Sequence, residues 1–282
     1  MTEIRTIRQV IEPRFVMEGA GVRLLRSFGP QVSNQFDPFL LFDHFAFNDP
    51  PEGALVGFPT HPHRGIETVT YMLSGTVNHR DSLGNSGIIA AGDVQWMTAG
   101  GGIMHAEMPR LDDRGDNKGF QLWVNLPAAR KMSSPQYQEV KADTIPEIEK
   151  HGVKVRLVTG EFAGHTGPVK GIAAEPIYLE ASLAPNTIFS LPTPKGHTCL
   201  AYLYEGGVTV QAEAIKSTGM LVFTEGDYLE IRAGDDGARL MLFAGAPFHE
   251  PIAPYGPFVM NTRQEIEQAL EDLRNGTFVK VG

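Results

Sequence analysis

The feature that most constrains the fold is a series of short apolar segments separated by turn residues. From residue 66 to about 125, the segments IETVTYML, GIIAAGDVQWM and FQLWVNL alternate with breaks rich in glycine, asparagine and aspartate, such as SGTVNHRDSLGNSG. Short apolar runs bounded by such breaks are typical of consecutive strands in a sandwich or barrel. The pattern therefore predicts an all-β architecture.

Helical periodicity is scarce until the end of the chain. There, Thr262 and Glu265 have the spacing of a capping box, and Gly276 stands where a helix would stop. Between them, four apolar residues fall on one helical stripe: Ile266, Ala269, Leu270 and Leu273. These positions predict one C-terminal amphipathic α-helix.

An internal repeat indicates that the chain contains two similar β-domains. YMLSG at 71–75 matches YLYEG at 202–206, and GDVQWMTAG at 92–100 aligns with GDYLEIRAG at 226–234. The chain of 282 residues is long enough for two such domains. We predict an N-terminal domain over residues 1–140 and a C-terminal domain with the helix over 141–282, divided within the polar stretch 133–152.

Charge and composition narrow the classes of partner. The net charge of −9 is spread along the chain, and no basic, aromatic-interleaved stretch occurs, so direct nucleic-acid binding is not expected. An apolar run of 20 residues is absent, and charges interrupt the first 15 residues where a signal peptide would be apolar. Together with a single cysteine, Cys199, this predicts a cytoplasmic protein that does not act at a membrane.

Two short motifs bring histidines and carboxylates together. His61 and His63 point to the same side of an extended strand because side chains alternate faces, and His105 and Glu107 in HAE do the same. Three imidazoles and one carboxylate form a mixed set that suits Fe(II), Mn, Co, Ni or Cu better than a closed structural zinc site. The second half of the repeat retains only His197, which favours a functional metal site in the first half.

Several long segments resemble those of the pirin family, within the cupin superfamily of double-stranded β-helix (jelly-roll) proteins. They are FPTHPHRGIETVTYMLSG, GDVQWMTAGGGIMHAEMP and GFQLWVNLP, with DPFLLFDHF near the start and GAPFHEPIAPYGPFVMNT near the end. The resemblance implies a bicupin. Its N-terminal domain would bind one metal ion, usually iron, through His61, His63, His105 and Glu107, and its C-terminal domain would be metal-free.

A second carboxylate competes for the role of metal ligand. Glu67 stands about where generic cupins place their glutamate, just after H-x-H. The resemblance to pirins favours Glu107, and Glu67 heads a segment that reads as a strand. Glu67 is then expected to orient an imidazole N–H from outside the ligand set.

The resemblance also implies an activity. Four protein ligands on an octahedral ion leave two positions for a chelating substrate and O2, and several pirins cleave flavonols such as quercetin with release of carbon monoxide. Glu107 would be both ligand and general base for the substrate hydroxyl. The alternative is a metal- and redox-dependent binding protein that regulates a transcription factor or metabolic enzyme through a protein partner. A third reading is an isomerase or hydrolase, which anaerobic turnover would reveal.

The remaining conspicuous residues are expected to be structural. The cluster His79, Arg80 and Asp81 precedes SLGNSG and is typical of a solvated hairpin. Most of the aromatic residues are expected in the core and the rest in a pocket wall: Phe36, Phe39, Phe42, Phe45, Phe47, Phe58, Trp96 and Trp123.

Overall fold

The computed structural model describes residues 2–47 and 57–279, and almost all of its regular structure is β. The strands up to residue 140 are β1 (Ile7–Ile11), β2 (Arg14–Glu18), β3 (Val22–Phe28), β4 (Phe39–Phe47), β5 (Phe58–His63), β6 (Ile66–Ser74), β7 (Thr76–Asp81), β8 (Ser86–Ala90), β9 (Val94–Thr98), β10 (Ile103–Arg110), β11 (Asn117–Asn125) and β12 (Gln136–Val140). The later strands are β13 (Glu147–Lys150), β14 (Val153–Thr159), β15 (Glu161–Phe162), β16 (His165–Thr166), β17 (Ile177–Leu183), β18 (Ile188–Pro192), β19 (Thr198–Val210), β20 (Glu213–Ile215), β21 (Gly219–Phe223), β22 (Tyr228–Gly245), β23 (Ala253–Tyr255) and β24 (Phe258–Met260). The helix α1 spans Arg263–Asn275, and single 3₁₀ turns lie at Ala128–Arg130 and Ala142–Thr144.

The chain divides into two compact units, and each unit includes a segment from the opposite end of the chain. The N-terminal unit comprises Arg14–Ala142 and Phe248–Gly282, and the C-terminal unit comprises Met1–Pro13 and Asp143–Pro247. The predicted division into 1–140 and 141–282 differs from these units at both ends of the chain. The reason is long-range pairing that no local pattern reveals, since β1 joins β21 in the C-terminal unit and α1 packs against β23 and β24 in the N-terminal unit.

The N-terminal unit is a jelly roll of two antiparallel sheets. The larger sheet has the order β12-β9-β6-β11-β4-β3-β2, and the smaller has the order β5-β10-β7-β8. Strand β6, in the interior of the larger sheet, is buried on both faces except at Leu73, which explains its nearly uninterrupted run of apolar and threonine residues. A core of apolar side chains closes one end of the sandwich: Val22, Leu24, Phe45, Met72, Val77 and Ile89.

The C-terminal unit has its main strands in a single nine-stranded sheet. Its strand order is β1-β21-β19-β22-β17-β14-β13, with β18 paired to β22 and β20 paired to β19. Strands β19 and β22 are long, with 13 and 18 residues, and each supplies two segments that are separate strands in the other unit. The hydrophobic core of this unit includes Leu157, Leu179, Phe189, Leu203 and Leu242. The expected all-β bicupin fold is confirmed.

The strand pairing contradicts one of the two sequence matches that indicated the internal repeat. β6, which contains YMLSG, pairs with β9, whereas β19, which contains YLYEG, pairs with β21. The equivalent of β9 is therefore β21, so the TAG at 98–100 corresponds to the TEG at 224–226. The predicted match between 92–100 and 226–234 is wrong, because residues 228–232 pair with β18 as β10 pairs with β5.

The C-terminal helix begins and ends where the sequence predicts. Thr262 accepts a hydrogen bond from the backbone N–H of Glu265 at 3.2 Å, and the Glu265 carboxylate accepts one from the backbone N–H of Thr262 at 2.8 Å. Gly276 ends the helix in the left-handed region at φ 70°. Ile266 and Ala269 are buried against Phe258 and Phe278, so the apolar stripe joins the helix to the N-terminal unit.

Candidate metal centre

The histidines of the two motifs lie on neighbouring strands in register. β5 pairs with β10 so that His61 is opposite His105, and His63 is opposite Ile103. A β-bulge between His105 and Glu107 shifts the register at this point of β10. Bulges of this kind re-aim side chains next to functional sites. Local alternation in the two strands therefore brings the predicted residues to one face of the smaller sheet.

The three imidazoles form a compact cluster. Their ligand nitrogens all lie within 4.8 Å of one another, and the Nε2 atoms of His61 and His63 are 3.1 Å apart. The carboxylate of Glu107 adjoins them, with Oε2 3.8 Å from Nε2 of His105. The structure thus brings the three predicted histidine ligands together, with the Glu107 carboxylate beside His105 but outside the group whose ligand atoms all lie within 4.8 Å of one another.

His61 and His63 make hydrogen bonds through Nδ1, which leaves their Nε2 atoms for metal binding. Nδ1 of His61 lies 2.9 Å from the carbonyl oxygen of Pro59, and Nδ1 of His63 lies 3.3 Å from that of Pro257. Each Nδ1 therefore donates to a carbonyl, and in a neutral ring the lone pair is then on Nε2. The two Nε2 atoms are 3.1 Å apart, so one cation could accept both lone pairs. The donor set fits a metal ion on this ground.

Burial keeps two of the imidazoles neutral. His63 and His105 are 3% and 1% exposed. Burial is the main cause that lowers the pKa of His63 well below its usual value and the pKa of His105 to about 3, and the neighbouring rings lower both further. Neither ring nitrogen of His105 has a hydrogen-bond partner among the described residues. A neutral, unsatisfied imidazole is the form that coordinates a metal.

The larger sheet holds the carboxylate of Glu107 in place. Thr70 on β6 donates to Oε1, and Gln121 on β11 donates from Nε2 to Oε2, each at 3.3 Å. Trp123 donates from Nε1 to Oε1 of Gln121 at 3.1 Å, which fixes the orientation of the amide. Sequence reasoning missed Thr70 and Gln121. The available signal was that each is a polar residue with an apolar neighbour on either side along its strand.

Glu67 lies away from the imidazoles. Side chains alternate along β6, so Glu67 projects from the face opposite to that of Thr70. Its Oε1 accepts a hydrogen bond from Thr98 at 2.8 Å, and burial raises its pKa to about 7. The expectation that Glu67 orients an imidazole is wrong, because that role requires the other face of the strand.

His79 is buried, and the prediction of a solvated hairpin is wrong for this residue. It is 3% exposed, and its Nε2 lies 2.8 Å from Oε1 of Glu139 on β12. Gly87 makes the pair fit, because a Cβ at that position would stand 2.7 Å from the same Nε2. Arg80 is exposed as predicted. The partner of His79 is 60 residues away, so the local sequence does not reveal the burial.

A polar row crosses the inner face of the larger sheet. Its members are directly opposite one another on six adjacent strands: Arg26, Asp43, Gln121, Thr70, Gln95 and Glu139. The middle of the row holds Glu107, and its end holds His79. Such a row in a sandwich interior costs desolvation free energy and is retained here by mutual hydrogen bonding.

A cavity of about 450 Å³ is lined by His61, His63 and Glu107. Phe58 and Trp123 are part of its wall, and Arg26 and Asp43 form a bidentate ion pair at 2.8 and 2.7 Å on another side. Five of the other aromatic residues that the sequence places in the core or a pocket wall are buried: Phe36, Phe39, Phe42, Phe45 and Trp96. The side chain of Phe47 lies outside the described part of the chain.

The C-terminal unit has apolar residues at the equivalent positions. In its β18–β22 ladder, Phe189 is opposite Ile231, and Leu191 is opposite Leu229. With β21 equivalent to β9, these pairs take the places of His61 with His105 and of His63 with Ile103. Phe189, Leu191 and Ile231 are each at most 1% exposed. Where one unit has three imidazoles, the other has a packed core.

Two jelly-roll units, one of them with a histidine cluster, define a bicupin with a candidate metal centre. The pirin family model matches residues 21–124, and the model described as the pirin C-terminal cupin domain matches residues 178–279. The chain belongs to the pirin family. In the described residues, helices long and apolar enough to cross a membrane are absent.

Individual relatives cover nearly the whole chain. A pirin-like protein of Caulobacter vibrioides is 43% identical over 98% of this chain and 99% of its own length. Human pirin is 43% identical over 92% of this chain and 88% of its own length. The crystal structure titled quercetin 2,3-dioxygenase from Acinetobacter baumannii superposes with a TM-score of 0.90 at 33% identity, covering 99% of this chain and all of that one.

Proposed function

We propose that this protein is a metal-dependent dioxygenase of the pirin type, which cleaves flavonols such as quercetin with O2. The observation that carries the proposal is a cluster of three imidazoles beside the Glu107 carboxylate, with His61, His63 and Glu107 lining a cavity of about 450 Å³. That volume lies within the range of roughly 300–1,000 Å³ typical of small-molecule sites. The solved relative titled quercetin 2,3-dioxygenase supports the choice of substrate.

The residues that would hold the metal are His61, His63, His105 and Glu107. Three nitrogens and one oxygen suit Fe(II), which we expect as the native ion, and also Mn, Co, Ni or Cu. A bound redox-active ion would supply Lewis acidity and open positions for a chelating flavonol and for O2. The reaction consumes one O2 and releases one carbon monoxide, so it needs no further reductant. A cytoplasmic location and a protein partner remain predictions from the sequence.

Glu107 is the proposed general base. The 3-hydroxyl of a flavonol must lose its proton before ring cleavage, and the Glu107 carboxylate borders the cavity into which that hydroxyl would enter. Thr70 and Gln121 donate to the two carboxylate oxygens at 3.3 Å. These hydrogen bonds are long and can break when an oxygen takes up a proton. Phe58 and Trp123 provide flat apolar surfaces for the aromatic rings of the substrate.

Metal content and oxygen uptake test the proposal together. The purified protein is analysed for metals, reconstituted with Fe(II), and assayed for O2 consumption and carbon monoxide release with quercetin and a panel of phenols. His63→Ala should lose metal and activity together, whereas His197→Ala, which removes a histidine of the C-terminal unit, should retain both. An iron-loaded protein that consumes no O2 with any flavonol would refute the dioxygenase proposal and favour the regulatory binding protein.

A second pair of variants tests the base. Glu107→Gln keeps the shape of the side chain but removes the charge, so part of the metal should remain while turnover falls by roughly two to four orders of magnitude. Glu67→Gln is the matched control, because it replaces a buried carboxyl group on the opposite face of β6. Full activity in Glu107→Gln would rule out its role as the base.

A further inference from the structure

The turn that follows His63 is held by a segment almost 200 residues later in the chain. This C-terminal segment, residues 257–278, approaches the turn at three consecutive positions. Nδ1 of His63 lies 3.3 Å from the carbonyl oxygen of Pro257, and the backbone N–H of Val259 donates to the carbonyl of Arg64 at 3.1 Å. A Cβ on Gly65 would stand 2.2 Å from the carbonyl oxygen of Val259, so only glycine permits this approach.

Arg64 ties the turn to the helix and to the residues after it. Its side chain is 1% exposed, and its Nη1 donates to Oδ2 of Asp272 on α1 at 2.7 Å. Its Nη2 donates to the carbonyl oxygen of Phe278 at 3.2 Å, and the guanidinium carbon lies 4.4 Å from the centre of the Phe278 ring. A guanidinium held by three groups has little freedom, which restricts the backbone of the adjoining His63.

A buried lysine, Lys131, also links the turn after His63 to the C-terminal segment. Lys131 is 1% exposed and donates from Nζ to the carbonyl oxygens of Gly65 and Val259, at 2.9 and 2.6 Å. Its third hydrogen bond goes to Oδ1 of Asn125 at 2.8 Å. The ammonium therefore joins the turn and the C-terminal segment through one fully satisfied donor.

We infer that the C-terminal segment is a positioning element of the metal centre, which sets the ring orientation of His63 through Pro257, Arg64 and Asp272. The inference rests on the proposal that His63 binds a metal. Outer groups that hold a ligating histidine commonly change metal affinity by 10–100-fold. Asp272 is a positioning residue, because it acts on the metal only through Arg64 and the turn.

Two variants of α1 provide a matched test. Asp272→Asn removes the carboxylate that binds the buried Arg64, whereas Glu267→Gln removes one that binds Arg263, in a pair whose side chains are 92% and 65% exposed. Ni(II) dissociation constants are measured by competition with a chromophoric chelator, on metal-free protein shown by circular dichroism to be folded. We expect Asp272→Asn to weaken Ni(II) binding by about tenfold or more and Glu267→Gln by less than about twofold.

A spectroscopic measurement separates positioning from general stability. The visible ligand-field spectrum of bound Co(II) should change in Asp272→Asn and stay the same in Glu267→Gln, because only the first variant alters the direction of the His63 ring. If Asp272→Asn does not fold, Phe278→Leu replaces it, since this change removes the ring over Arg64 but leaves the carbonyl acceptor.

Two results would overturn the inference. One is an affinity within twofold of the parent in the folded Asp272→Asn or Phe278→Leu protein. The other is an unchanged Co(II) spectrum, with the substitution lowering only the melting temperature. A parent protein that binds neither ion would instead refute the proposed metal centre, so the two failures are distinguishable.

Discussion

The buried carboxyl of Glu67 should make the stability of the N-terminal unit depend on pH. Glu67 is 3% exposed, and burial raises its pKa from 4.5 to about 7, against the opposing effect of the hydrogen bond from Thr98. Between these values the folded state binds the proton and the unfolded state does not. The contribution of Glu67 to the free energy of unfolding is therefore fully present below pH 4.5 and is lost as the pH rises towards 7. The pKa change corresponds to about 3 kcal/mol.

Glu67→Gln isolates this contribution because glutamine does not titrate. The free energy of unfolding is measured in urea, on metal-free protein, for the parent and the variant at pH 5 and pH 8. Both tryptophans of the chain, Trp96 and Trp123, belong to the N-terminal unit, so their fluorescence reports the unit that contains Glu67. Relative to the variant, the parent should lose about 2–3 kcal/mol between the two pH values. If the difference in the free energy of unfolding between the parent and Glu67→Gln were the same at pH 5 and pH 8, Glu67 would not be protonated in the folded protein at pH 5.

Three further substitutions test features of the fold and site. Gln121→Leu removes the donor to Oε2 of Glu107 and should lower metal affinity or turnover by about tenfold, measured by chelator competition and O2 uptake. The control is Gln138→Leu on β12, which is next to Glu139 and therefore on the opposite face of that strand from the polar row. Equal effects of the two substitutions would contradict the assignment. Gly65→Ala should destabilise the N-terminal unit by at least about 2 kcal/mol, because the residue has φ 80° and its Cβ would meet Val259; a smaller loss in urea unfolding would contradict the close approach. Thr262→Ala should cost about 1 kcal/mol through loss of the helix cap, seen as a lower melting temperature, whereas an unchanged value would show that the cap is dispensable.

Features that depend on local periodicity could be predicted from the sequence. His61 and His63 share a face because their separation matches the two-residue period of a strand, and the same holds for His105 and Glu107. The helix beginning after Thr262 was predictable because capping involves residues three apart. Each of these predictions concerns side chains that are neighbours along the chain.

Features that depend on strand pairing could not be predicted in this way. The match of 226–234 to 92–100 failed because short glycine-containing motifs recur at turns, whereas strand equivalence is decided by the partner strand. His79 looked solvated because Glu139, its buried partner, comes 60 residues later. The hydrogen bond between His63 and Pro257 spans 194 positions, so no local signal linked the end of the chain to the metal ligands.

Each unit contains a segment from the opposite end of the chain, and this has a consequence for folding during synthesis. Pro257 follows Glu107 by 150 residues, which a ribosome adds in roughly 8–30 s at about 5–20 residues per second. During that interval the nascent chain carries all four candidate ligands, but neither the carbonyl that holds His63 nor the helix that holds Arg64. Strand β1 likewise waits for β21 to emerge. The N-terminal unit cannot close before Pro257 and the helix have been synthesised, so an ion that binds earlier meets a site without these supporting groups.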